Sequence, residues 1–159
     1  MIVVVGFMGA GKSTIGKLIA KHLDVPFTDT DKVIEDRHGP ISEYFDRYGE
    51  PAFRTVEAQV IAECLGGPDG VLALGGGAVA APEVRDALRG HEVLWLRISL
   101  ANALARVGQD PRRPVLASAD LDQRFEQRQH WYADVATRIL DVGHGPARDV
   151  AERYFAPPA

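Results

Sequence analysis

The chain has 159 residues, of which 46% are hydrophobic and 25% charged, a composition typical of one globular domain with its own core. The net charge of -4 disfavours a nucleic-acid partner, and the single cysteine excludes an internal disulfide, so we expect a reducing, cytoplasmic environment. No apolar run is long enough to span a membrane, and no membrane partner is expected.

The N-terminal half is predicted to alternate strands with helices. Residues 2–5 form a β-branched run typical of a buried strand, and apolar residues recur at helical spacing over 12–22. A short strand ends in the acids of FTDTD. Helices are then predicted over 32–37, over 42–49 and from Pro51 to the glycines at 66 and 67.

The C-terminal half continues the alternation. Strands are predicted over 71–74, 92–98 and 138–142, and helices over 82–88, 100–107, 121–136 and 147–154. The segment GQDPRRPVLASAD between two of these helices has little periodicity and reads as a loop. Strands that alternate with helices predict an α/β fold with a parallel sheet covered on both faces.

The segment GFMGAGKS, from Gly6 to Ser13, fits the pattern G-x-x-x-x-G-K-[ST] between a predicted strand and a predicted helix. The glycines let backbone N–H groups surround a phosphate chain, and the helix N-terminus adds partial positive charge. Lys12 is expected to reach the outer phosphates. Ser13 is expected to bind Mg²⁺, with Thr14 as a weaker candidate. The sequence therefore predicts a site for a nucleoside triphosphate with Mg²⁺.

Two acids, Asp29 and Asp31, follow the short second strand, whereas the strands over 71–74 and 92–98 end without an aspartate. Residues i and i+2 of an extended segment point the same way, so both carboxylates are expected to face one site. One would hold water around Mg²⁺, and the other would accept a hydrogen bond from a substrate hydroxyl. An acidic turn that caps the helix at Lys32 is the alternative. The lack of an aspartate at the ends of the other two strands disfavours a nucleotide hydrolase, which usually has an acid there to help hold Mg²⁺.

Three successive glycines, Gly75, Gly76 and Gly77, follow the strand over 71–74. Ligands of open α/β sheets bind at the carboxyl ends of the strands, and a residue without a side chain lets a ligand lie against the backbone there. We expect these glycines to line a substrate pocket, with a flexible strand–helix turn as the alternative.

Taken in order, the motifs resemble those of the shikimate kinase family: GFMGAGKSTIG, FTDTD, GEPAFRTVE, LGGGAV, a loop with RRP, and an arginine shortly before a tyrosine. The resemblance runs from about residue 4 to residue 136. It implies a P-loop kinase similar in fold to nucleoside monophosphate kinases, with a five-stranded parallel sheet flanked by helices. One domain over 1–159 would contain a substrate-binding region at about 29–58 and a lid at about 108–119.

The resemblance also implies an activity, transfer of the γ-phosphate of ATP to the 3-hydroxyl of shikimate with Mg²⁺ as cofactor. We expect a monomer, although the sequence does not reveal the oligomeric state. The residues implied at ATP are Gly9, Ala10, Gly11, Lys12, Ser13, Thr14, Arg106 and Arg113. Those implied at shikimate are Asp31, Arg54, Gly75, Gly76, Gly77 and Arg128. Ser13 and Asp29 would serve Mg²⁺, and Lys12, Asp31 and Arg113 would be catalytic.

Within these sets, Arg54 and Arg128 match the pair that grips the shikimate carboxylate. Arg106 matches an arginine near the adenine, and Arg113 matches the lid arginine that reaches the phosphates. Glu57, one helical turn after Arg54, matches an acid that orients it. Whether Asp31 removes the hydroxyl proton or only orients the hydroxyl is left open.

The sequence departs from the family pattern in places. Val115 replaces a leucine of the lid, and His130 and Trp131 stand where proline and leucine are common. Arg148 is offset from the usual C-terminal adenine contact and receives no role. Two alternatives stay open: another small-molecule kinase, such as a gluconate kinase, and a nucleotide-binding protein without turnover.

Overall fold

The computed structural model describes residues 1–108, 120–143 and 145–158, and within them strands and helices alternate in the predicted order. The strands are β1 (Ile2–Val5), β2 (Phe27–Asp29), β3 (Val71–Ala73), β4 (Glu92–Arg97) and β5 (Arg138–Asp141). The helices are α1 (Lys12–Leu23), α2 (Thr30–His38), α3 (Ile41–Tyr48), α4 (Glu50–Leu65), α5 (Pro82–Ala87), α6 (Leu100–Val107), α7 (Leu121–Val135) and α8 (Ala147–Phe155). A short 3₁₀ helix over Ala78–Ala80 was not predicted.

The five strands form one parallel sheet in the order β2-β3-β1-β4-β5, with β1 at the centre. Asp29 at the end of β2 is in register with Ala73 of β3, which is in register with Val4 of β1. The loops that leave these three strands therefore start side by side at the carboxyl edge of the sheet, the usual ligand edge of such folds.

The core lies around the three middle strands. Val3, Val4 and Leu94 are fully buried, and Trp95 is 5% exposed, as expected for strands covered on both sides. The helix α1 packs against β3 and α8 and contributes Ile15 to the same core. No helix in the described parts of the chain is long and apolar enough to cross a membrane.

A second, smaller cluster joins α2, α3 and α4 beside the sheet. Ile34, Phe53 and Val60 are its buried members, and Tyr44 and Phe45 pack against them. The rings of Phe45 and Phe53 lie 4.6 Å apart between centroids. This packing holds α2 and α4 together, so that side chains at their N-terminal ends converge on the carboxyl edge of the sheet.

Candidate active site

The loop between β1 and α1 has the backbone that the phosphate-loop pattern predicts. Gly9 and Gly11 have φ of +82° and +88°, a region that residues with a side chain rarely adopt. The N–H of Ala10 donates to the carbonyl of Phe7 at 3.1 Å, which closes the loop. The helix α1 starts directly after Gly11 without an acidic residue in its first turn, so its positive N-terminus is left for an anion.

Two cations hold the phosphate loop. Nζ of Lys12 donates to the carbonyl of Phe7 at 3.2 Å. Nη1 of Arg106, on α6, donates to the carbonyl of Gly9 at 2.9 Å, so this arginine lies against the loop. Gly108 is the only residue of the expected lid among the described ranges, and Arg113 lies outside them.

The expectation of an extended segment through Asp29 and Asp31 was wrong. The strand β2 ends at Asp29, and α2 begins at Thr30, so Asp31 lies in the first helical turn. Asp29 is the N-cap: its Oδ1 accepts from the N–H of Asp31 at 3.0 Å, and its Oδ2 accepts from Oγ of Ser13 at 2.5 Å. The alternative, an acidic turn that caps the helix, describes the role of Asp29 correctly, but the helix begins at Thr30 instead of Lys32. An aspartate at the N-cap accepts a hydrogen bond from a free backbone N–H at the start of the helix.

Asp31 nevertheless lies within electrostatic reach of the carboxylate of Asp29. Burial raises the pKa of Asp31 above its ordinary value, and the negative charge of Asp29 raises it further, while the charge of Lys12 lowers it. Asp31 is therefore a carboxylate of raised basicity that lies within electrostatic reach of the phosphate loop.

The segment Gly75–Gly77, called the glycine turn below, follows β3 at the centre of the site. The N–H of Ala78 donates to the carbonyl of Gly75 at 3.1 Å and closes the turn. A Cβ at Gly75 would lie 2.7 Å from Oδ1 of Asp31 and 2.9 Å from Oε2 of Glu57. The missing side chain thus makes room for two protein carboxylates, a reason that the sequence did not show.

Arg54, on α4, occupies the space beside Gly77. A Cβ at Gly77 would overlap Nη2 of Arg54 and lie 2.7 Å from its Cζ. Nη1 donates to Oε1 of Glu57 at 2.6 Å, the pairing expected one helical turn apart, and Nη2 donates to Oε1 of Glu50 at 3.4 Å. Nε of Arg54 is buried and has no hydrogen-bond partner among the described residues. The hydrogen-bonding capacity of this donor is therefore unused among the described residues.

Arg128, on α7, is a second cation, and it lies within electrostatic reach of Arg54. Its side chain is buried at 9% exposure, and its guanidinium stacks over the ring of Phe7 at 5.6 Å. Across the described ranges it forms no ion pair. Burial lowers its pKa, and the positive charge of Arg54 acts in the same direction, so the two guanidinium groups repel each other. An anion bound between them would offset both the burial of the Arg128 charge and the repulsion between the two guanidinium groups.

Glu57 keeps Arg54 in place from inside the protein. The side chain is 1% exposed; burial raises its pKa, and the hydrogen-bonded charge of Arg54 lowers it. A buried carboxylate without a partner would be costly, so the pair restricts the guanidinium to one position.

Tyr132 is a site residue to which sequence reasoning gave no role. Its hydroxyl donates to the carbonyl of Gly76 at 2.5 Å. The spacing of four residues from Arg128 was the available indication, because residues i and i+4 share one face of a helix. With the phosphate loop, a basic carboxylate and two guanidinium groups around one turn, the arrangement suits phosphoryl transfer to a hydroxyl of an organic acid.

Comparisons with known proteins agree with this chemistry. The family model described as shikimate kinase matches residues 8–156. A shikimate kinase from Rhodococcus jostii is 41% identical over 156 residues, covering 94% of this chain and 93% of the relative. One from Mycobacterium avium is 45% identical over 145 residues, covering 88% and 82%. The solved structure of a shikimate kinase from Acinetobacter baumannii in complex with shikimate has a TM-score of 0.88 at 34% identity, covering 97% of this chain and 89% of that one.

Proposed function

This chain belongs to the shikimate kinase family, and we propose that the residues around its phosphate loop and its glycine turn carry out the family reaction. The γ-phosphate of ATP is transferred to the 3-hydroxyl of shikimate, which yields shikimate 3-phosphate and ADP for the synthesis of aromatic amino acids. The matched range, residues 8–156, includes Asp29, Asp31, the glycine turn and Arg128.

One observation carries the assignment of the acceptor site. Arg128 is a buried cation without an ion pair in the described parts of the chain, and it lies near a buried, unpartnered Nε of Arg54. Planar carboxylates are held best by guanidinium forks, and two forks also fix the orientation of the acid. We therefore assign the carboxylate of shikimate to this pair, with the glycine turn beneath the ring.

The phosphate end of the site is assigned to the loop after β1. The backbone N–H groups of Gly9 to Thr14 would surround the phosphates, and Lys12 would move from the carbonyl of Phe7 to the outer phosphates. Arg106 would lie beside the adenine while it supports the loop. Arg113 would neutralise charge on the transferred group when the lid closes and water is excluded.

The oxygen atoms of Ser13, in the first turn of α1, and of Asp29, at the end of β2, fit Mg²⁺. A hydroxyl oxygen of Ser13 and a carboxylate oxygen of Asp29 are in contact, and oxygen ligands of this kind are the ones that Mg²⁺ prefers. Ser13 would bind the ion directly, and Asp29 would hold its water shell. When bound, Mg²⁺ supplies positive charge that neutralises the phosphate oxygens.

Asp31 is assigned to the attacking hydroxyl of shikimate. Its raised pKa makes it a better proton acceptor than an ordinary aspartate, and its carboxylate is held beside Gly75 by the start of α2. It would orient the hydroxyl for in-line attack and take the proton as the new bond forms.

The first experiment measures ADP release from purified protein with ATP and Mg²⁺, with shikimate, gluconate or no acid. Strong dependence on shikimate, with shikimate 3-phosphate identified by mass spectrometry, is expected. Turnover driven by gluconate would favour the other small-molecule kinase. A rise in melting temperature with ATP, without product from either acid, would favour a protein that only binds nucleotide. We also propose that the enzyme is monomeric and cytoplasmic, the latter because the single cysteine fits a reducing environment.

Gly77→Ala is expected to raise the KM for shikimate about tenfold to a hundredfold, because the new Cβ would displace the guanidinium of Arg54. The φ of Gly77 is −95°, which alanine adopts without strain, so the fold and the KM for ATP should stay close to wild type. Gly66→Ala is the matched control: its φ is −82°, and its Cβ would meet nothing nearer than 3.6 Å. An unchanged KM for shikimate in Gly77→Ala would contradict the assignment of Arg54.

Asp29→Asn is expected to raise the Mg²⁺ concentration needed for half-maximal activity about tenfold to a hundredfold, because the ion's water shell loses a carboxylate. Asparagine is an equally good N-cap, so α2 should keep its start at Thr30. A Mg²⁺ titration of ADP release at saturating ATP measures the effect. The exposed change Asp24→Asn is the control, and an unshifted titration in Asp29→Asn would argue against the metal role.

A further inference from the structure

The hydroxyl of Tyr132 reaches the glycine turn from α7. The side chain is fully buried, and its ring packs against that of Trp95 with centroids 5.8 Å apart. Burial raises the pKa of the phenol above its ordinary value, so the group keeps its proton at neutral pH. It is therefore a fixed, neutral donor, and within the described residues its hydroxyl bonds to the carbonyl of Gly76.

The backbone of the glycine turn is that of a type I β-turn. The N–H of Ala78 donates to the carbonyl of Gly75, and Gly77 has φ −95° and ψ −1°. A type II turn differs mainly by rotation of the central peptide, here between Gly76 and Gly77, by about 180°. Type II requires a positive φ at the third residue, which glycine adopts readily. The sequence of the turn therefore permits both forms.

We propose that Tyr132 is a positioning residue that selects the type I form, so that the N–H of Gly77 is offered to the carboxylate of shikimate. In a planar trans peptide the carbonyl of Gly76 and the N–H of Gly77 point in opposite directions. Tyr132 holds the carbonyl on its own side, and the N–H therefore points away from it. That N–H makes no hydrogen bond within the described residues.

The form of the turn matters for shikimate binding because of what lies beside this N–H. Gly77 borders the guanidinium of Arg54, to which the carboxylate of shikimate is assigned, and the inference rests on that proposed function. In the type II form the oxygen of Gly76 would replace the N–H. Its partial negative charge would then face the bound anion. One phenol hydroxyl thus decides whether the turn presents a donor or an acceptor to the substrate.

Tyr132→Phe removes the hydroxyl and keeps the ring that packs on Trp95. We expect the KM for shikimate to rise about tenfold and the KM for ATP to stay within about twofold, since only the acid site loses a donor. Tyr154→Phe is the matched control. Tyr154 is also buried, and its hydroxyl donates to Oε1 of Glu92 at 2.6 Å, at the opposite edge of the sheet. Both KM values of this control should stay within about twofold.

Two further measurements separate the hydrogen bond from packing. With ¹⁵N,¹³C-labelled glycine, NMR couplings should report a negative φ at Gly77 in the wild type and a population with positive φ in Tyr132→Phe. If Tyr132→Phe does not fold, 4-aminophenylalanine and 4-methylphenylalanine are compared at position 132. The amino group restores a donor and should restore the KM for shikimate, whereas the methyl group fills the same space and should not.

The proposal is overturned if the KM for shikimate stays within about twofold in Tyr132→Phe, or if the KM for ATP rises equally. An unchanged φ at Gly77, or equal KM values for the amino and methyl analogues, would also overturn it. Failure of the proposed function is seen separately, as a wild-type protein without shikimate-dependent ADP release. The NMR comparison needs no substrate and tests the turn in either case.

Discussion

Asp31→Asn is expected to lower kcat for shikimate phosphorylation about 10²- to 10⁴-fold, the range typical of a lost general base. Asparagine keeps the shape of the side chain and loses the ability to take a proton. The KM for ATP should change little, because the phosphate loop is untouched. Steady-state kinetics with each substrate varied in turn measures the effect. A kcat within about tenfold of wild type would exclude proton removal by Asp31 and leave it a positioning role.

The pH profile of the wild type provides the second readout. The active form of Asp31 is ionised, and its pKa is raised by burial and by Asp29. Activity should therefore fall with decreasing pH from a higher pH than an ordinary aspartate would give. A profile without this acidic limb, at pH values where the fold is intact, would contradict the role of base.

The same substitution should stabilise the protein at pH 7. A carboxyl whose pKa is raised on folding holds its proton more tightly in the folded chain, so its ionised form lowers the free energy of unfolding at neutral pH. Asp31→Asn removes that cost, and the gain should vanish as the pH falls through the folded pKa towards 3.8. Asp36→Asn, an exposed change on the same helix, is the control for activity.

Arg128→Ala is expected to raise the KM and the Kd for shikimate about 10²- to 10³-fold, because a buried guanidinium that binds a carboxylate contributes about 2–5 kcal/mol. ATP binding should change far less. Arg128→Lys keeps the charge and loses the fork, so its effect should be intermediate. Calorimetric titration with shikimate and with a nonhydrolysable ATP analogue measures the two affinities.

Arg124→Ala is the matched control for Arg128→Ala. Arg124 lies one turn earlier on α7 and is exposed, so its removal changes the same net charge without opening the site. Shikimate affinity should remain near the wild-type value in this variant. Equal losses of affinity for shikimate and for ATP in Arg128→Ala would contradict the assigned role.

Much of the fold could be predicted because the information was local. Helical spacing of apolar residues located α1, and a β-branched run located β1. The predicted ends of these two elements, and of β4, α6 and α7, lie within one or two residues of the observed ends. The phosphate loop followed from its pattern between a strand and a helix, since its geometry depends on neighbouring residues alone. The boundary at Asp29 was missed because an aspartate before a possible helix fits both an extended segment and an N-cap.

The sequence by itself determined the fold class, the phosphate loop, the family and, apart from Tyr132, the residues to which site roles are assigned. Only the tertiary structure decided how those residues support one another: Gly75 makes room for Asp31 and Glu57, Gly77 for Arg54, and Tyr132 holds a carbonyl 56 residues away. The physical reason is the range of the interactions. Periodicity and capping act within a few residues, whereas burial, shifted pKa values and turn selection arise only when distant segments share one small volume.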